Sequence, residues 1–168
     1  MRPLILLALT IPAAACLGSA LPTEQREFEQ GDALIPLERF RSDSHPYAAY
    51  SGLAEAERRI VTSEEEMEAL WSQIHAGQAS VPPLPSVDFG EEMVLVAALG
   101  GKPSSGYAIR IDSVAARGEG LEVFLRQSRP APDCAVLAVI TAPVDLVRLP
   151  RRVGDVSYRE AVEVRECS

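Results

Sequence analysis

The chain has 168 residues, with 24 acidic and 16 basic side chains and a formal charge of -8. That balance argues against a nucleic-acid partner, because phosphate recognition needs an excess of Lys and Arg, and two histidines leave little for imidazole catalysis. A hydrophobic fraction of 47% and a charged fraction of 24% are ordinary for one globular domain of this length.

The first residues, MRPLILLALTIPAAAC, carry one charge at Arg2 and then an apolar run over 4–15. The run is too short for a permanent membrane helix, and small residues follow it, which is the pattern of a secretory signal peptide over 1–15. Ala13-Ala14-Ala15-Cys16 is similar to a lipobox and makes Cys16 a candidate lipid attachment site, although Ala13 stands where a large aliphatic residue is usual. Ordinary cleavage after Ala20 is the alternative. Residues 16–33 are polar and aperiodic and read as a flexible tether, leaving 34–168 as a single folded domain. Export would permit disulfides. Assigning Cys16 to lipid leaves Cys134 and Cys167 to bridge each other, closing a loop of over thirty residues; two free thiols are the alternative, less expected outside the cytosol.

Residues 34–40 read as a first strand, confined to an edge by Pro36, and 42–57 as loop. Residues 59–62 form a short strand before the clearest helix. There Ser63 is the N-cap, Glu66 completes a capping box, and Glu64, Glu65 and Glu66 suit the helix dipole. Met67, Leu70, Trp71 and Ile74 follow the i, i+3, i+4, i+7 spacing of one buried face. A Pro-rich connector over 81–86 ends this region. The continuous apolar run at 93–99 predicts a central strand covered on both faces. Alternation at Tyr107, Ile109 and Ile111, and again at Leu121, Val123 and Leu125, predicts two half-exposed strands joined near Gly118 and Gly120. Further strands are expected at 135–141, 144–149 and 158–164. Short spacings favour antiparallel neighbours. The fold class expected is therefore α+β, one amphipathic helix packed on a mostly antiparallel β-sheet.

Gly100-Gly101-Lys102-Pro103-Ser104-Ser105-Gly106-Tyr107 is the most unusual segment, and it contains the only lysine of the chain. It lacks the order of a phosphate-binding loop, Pro follows the Lys, and a strand rather than a helix comes next. It is either a structural hairpin loop or a recognition loop on a rigid sheet. Gly101, Lys102, Pro103, Ser104, Ser105, Gly106 and Tyr107 are the candidate partner-binding residues, with Tyr107 as the aromatic anchor. Asp88-Phe89-Gly90 repeats a kinase magnesium motif without the kinase's other elements, so Phe89 is read as a core residue. His45 and His75 have no acid or Cys at ligand spacing around both, and His75 fits a helix C-terminus. No nucleophile elbow is visible and Glu91-Glu92 has no fixed geometry. No catalytic residue, metal site or cofactor is therefore assigned. Arg148, Arg151 and Arg152, with Arg159, form a small basic cluster expected to be solvated and ion-paired.

Leu70-Trp71, Val87-Asp88-Phe89 leading to Met93-Val94-Leu95-Val96, Gly100 with the 102–107 loop, Arg129-Pro130-Ala131-Pro132-Asp133-Cys134, and the segment from Thr141-Ala142-Pro143-Val144-Asp145 to Pro150 form an ordered set. Together, over about residues 50–167, they resemble the C-terminal domain of PrcB-type protease complex subunits, found in exported bacterial proteins. In that family the loop usually runs Pro, Thr or Ser, Gly, Gly, Tyr; here Ser105 replaces the first of the paired glycines. The resemblance implies a non-catalytic accessory or regulatory subunit, periplasmic or in the cell envelope, with a protease or envelope protein as partner. Contact with membrane would run only through lipid at Cys16. Pro103 to Tyr107 is also similar to a loop of chagasin-type cysteine-protease inhibitors, which would enter a protease cleft beside a second loop at 133–135 or 142–144. A small hydrolase is the remaining alternative, for which no base–nucleophile pair is visible.

Overall fold

The computed structural model describes residues 33–40 and 49–167; the signal segment, Cys16, nearly all of the tether and His45 lie outside the described residues. The elements in chain order are β1 (Glu38–Arg39), β2 (Ala56–Val61), α1 (Glu64–Ile74), β3 (Glu92–Leu99), β4 (Ala108–Arg117), β5 (Gly120–Pro130), β6 (Val144–Pro150) and β7 (Val156–Arg165).

Helix α1 starts as its sequence dictates. The Ser63 hydroxyl accepts the Glu66 amide, and the Glu66 carboxylate accepts the Thr62 amide at 2.7 Å, closing the N-terminal turn. Met67, Leu70, Trp71 and Ile74 are its buried residues. They pack on one face of a four-stranded antiparallel sheet ordered β1-β6-β3-β2, against Val61, Val94, Val96, Val144 and Leu146.

The opposite face of that sheet carries Met93, Leu95, Val147 and Leu149, and a second sheet, ordered β4-β5-β7, covers it with Ile109, Ile111, Val114, Leu121, Val123 and Leu125. The fold is thus helix, four-stranded sheet and three-stranded sheet in sequence, a mostly β arrangement. This corrects the expectation of one helix on one sheet. The reason is physical. Burial of β3 on both faces demands two covers, and one helix supplies only one; the one-sided alternation in β4 and β5 supplies the other.

Two element readings also change. β7 runs parallel to β5, because the chain leaves the second sheet after Pro130, adds β6 to the first sheet and then returns. Residues 135–140 form no strand and are all exposed; Thr141 and Ala142, which follow, make isolated bridges to Lys102 and Tyr50.

The layers are also tied by polar contacts. A β-bulge lies between Ile111 and Ser113, and the buried Asp145 carboxylate on β6 accepts the Ile111 amide there at 2.7 Å. Arg39 on β1 donates to both oxygens of that carboxylate, at 2.8 and 3.1 Å, and to the Ile111 carbonyl at 2.6 Å.

Candidate functional site

The segment after β3 leaves the sheet through Gly100, whose φ is +68°. A Cβ there would also meet the Ala54 carbonyl oxygen and the Ala56 nitrogen at 2.7 Å, so only glycine fits. Gly106, at φ +92°, turns the chain into β4 beside Pro130. Between them the loop is laced to the 131–142 segment. The Lys102 amide donates to the Thr141 carbonyl at 2.7 Å, and the Thr141 amide donates back at 3.0 Å. The Thr141 hydroxyl donates to the Ser104 carbonyl at 2.9 Å.

Ser105 makes the most informative contact. Its amide donates to the Leu137 carbonyl at 3.0 Å and its hydroxyl accepts the Leu137 amide at 3.0 Å. Among the described residues no non-glycine has a positive φ, so Ser105 needs no glycine geometry. The residue that departs from the usual Gly-Gly pair therefore fastens the two loops together.

Of the sequence-predicted site residues, Gly101, Pro103 and Gly106 are exposed, while Lys102, Ser104 and Ser105 are half-buried. Tyr107 is also half-buried and packs against the inter-sheet core, which is a structural anchoring place rather than a presented one. Among the inhibitor's candidate flanking residues, Ala142 and Val144 are buried; the segment actually beside the loop is the one around Leu137.

The sequence hid this neighbour because the apolar run at 135–141 reads as a strand. Leu137 is 70% exposed and Ile140 72%, with Val136 and Val139 also open to solvent. Contiguous exposed aliphatic side chains beside an ordered polar loop make this segment a candidate contact surface. The signal available in sequence was the run itself flanked by Pro132 and Pro143, which stop a strand from extending either way.

The base of this segment is stapled. Cys134 and Cys167 form a disulfide with Cα atoms 5.3 Å apart, and the Ala131 amide donates to the Arg165 carbonyl at 3.0 Å. Bridging residues 33 apart in sequence stabilises the fold by about 3 to 4 kcal/mol through the unfolded state. Asp133 lies close to both sulfurs, which the bond consumes as ligands.

The expected arginine cluster is dispersed. Arg148 donates to Glu38 at 2.6 Å, and this bond raises its pKa; Arg151 donates to the carbonyls of Phe89 and Thr62, at 2.6 and 3.1 Å; Arg159 lies in the other sheet, bonded to Glu122. His75 is buried at the end of α1, its Nδ1 2.9 Å from the Trp71 carbonyl oxygen. Phe89 packs against the core beneath the helix, as its apolar ring requires.

Among known proteins, residues 93–150 match the family model described as PrcB C-terminal. The match is narrower than the resemblance drawn from the sequence, running from β3 to the end of β6, and it contains both the 101–107 loop and the exposed 135–140 segment. No curated protein and no solved structure matches the chain at a significant level.

Proposed function

We propose, from the match of residues 93–150 to the PrcB C-terminal family model, that this chain is a non-catalytic accessory subunit of an exported protease or envelope complex. Its binding face is the 101–107 loop together with the aliphatic segment fastened to it. The observation that carries this reading is the pair of hydrogen bonds between Ser105 and Leu137, which fasten a residue with an exposed apolar side chain to the loop. Apolar anchors held in place before binding lose less entropy on association. The leader-like N-terminus and the Cys134–Cys167 bridge support a place outside the cytosol, in the periplasm or envelope. Lipid at Cys16 would keep the subunit at a membrane surface.

Affinity capture from an envelope extract tests this. The intact chain is expected to retain a protease, and Leu137→Asp/Ile140→Asp is expected to lose it, with at least a tenfold lower yield (about 1.4 kcal/mol or more) and an unchanged melting temperature. Both side chains are already in water, so folding has little to lose. Undiminished capture by the double variant rejects the assigned face. Inhibition of cysteine proteases by the isolated chain, without co-purification, would move the reading to the inhibitor that the Pro103 to Tyr107 likeness implies.

A further inference from the structure

β7 is the outer strand of its sheet: among the described residues it pairs only with β5, and 159–165 are all exposed. Free strand edges are normally blunted by charged side chains, Pro, bulges or short length. β7 has no Pro, runs ten residues in unbroken register along β5, and carries charges only at Arg159, Glu160, Glu163 and Arg165. On its inner face Val156 and Tyr158 pack against the inter-sheet core, but Val162 and Val164 on the same face are 60% and 39% exposed.

Symmetry limits what a second copy of this edge can do. In a twofold antiparallel pair, directly opposed residues either both aim their amides at the partner or both aim them away, in alternation, so one residue always stands opposite itself. The two longest registers centre on Glu160 or on Ala161. Centring on Glu160 sets its carboxylate against itself. Centring on Ala161 sets Arg159 opposite Glu163 twice and Tyr158 opposite Val164 twice. Registers one step further out oppose Arg159 to itself or Arg159 to Arg165, and like charges directly opposite are destabilising. The Ala161 register alone among these brings opposite charges together with no like pair. It also joins two ionic rows already present on that face, Arg159 with Glu122 and Arg126 with Glu163.

We infer that β7 pairs antiparallel with β7 of a second copy of this chain, centred on Ala161, joining two three-stranded sheets into one continuous sheet. The charge complementarity of this one register is the reason to assign the edge to a copy of the same strand.

Ala161→Cys in the intact chain tests the register. Directly opposed Cβ atoms at about 4.5 to 5.5 Å are close to disulfide reach, so mild oxidation is expected to give a dimer whose peptide mass shows a 161–161 link. Val162→Cys, placed opposite Glu160, is expected to crosslink at least about tenfold less under the same conditions. Ala161→Glu, which opposes two carboxylates, is expected to weaken dimerisation in sedimentation at least about tenfold without changing the melting temperature at dilution. A chain that stays monomeric at about 100 μM, leaving the edge bare or for an unlike strand, overturns the proposal. So does equal crosslinking at 161 and 162, or a dimer that Ala161→Glu leaves intact.

Discussion

Glu122 illustrates how a single side chain carries charge into this fold. Its carboxylate is buried on β5 and accepts hydrogen bonds from Arg159 and Arg117. The Arg159 bond, followed by Arg117, holds it below the ordinary carboxylate range, against burial, which pushes it upward. A carboxyl whose folded pKa is depressed contributes stability that is present above its unfolded value of about 4.3 and is lost as pH falls through the folded value. Glu122→Gln is therefore expected to be less stable than the parent at neutral pH. The gap should close as urea unfolding is repeated below about pH 4. A gap that persists in acid would assign the effect to packing instead.

At the scale of elements, Asp145 joins β6, β1 and β4 through one carboxylate. Asp145→Ala leaves the Ile111 amide unpaired and the Arg39 guanidinium without its counter-ion, a loss of about 3 to 5 kcal/mol. The expected result is a melting temperature lowered by more than about 10 °C; a shift within experimental scatter would mean that the strap contributes nothing. The helix and β3 were legible from residues alone, because Ser63, Glu66 and the Met67–Leu70–Trp71–Ile74 spacing act locally, and an apolar run at 93–99 fits a doubly covered strand. Residues 135–140 were not legible, since the same composition suits a core strand or a contact surface and only the neighbours decide. The parallel pairing of β7 with β5 was hidden for a related reason: gaps of a few residues say nothing about which sheet the next strand joins. Of the site, the 101–107 loop could be read from its Gly, Pro and Ser content, whereas its attachment to Leu137 depends on a contact 32 residues away.

For the whole molecule, three layers place the 101–107 loop at the passage from the first sheet to the second, and β7 at the outer edge of the second sheet among the described residues. A formal charge of -8 opposes self-association at long range, so the two proposed contacts rest on local features: the aliphatic segment for an unlike partner, and Arg159 opposite Glu163 for a like one. The 101–107 loop and residues 135–140 are proposed to form one contact face. Hydrogen–deuterium exchange of the intact chain, with and without the protease it captures, tests this. Protection is expected to rise at both segments together, with β2 and α1 unchanged; protection elsewhere while both segments exchange as before would rule out a shared face.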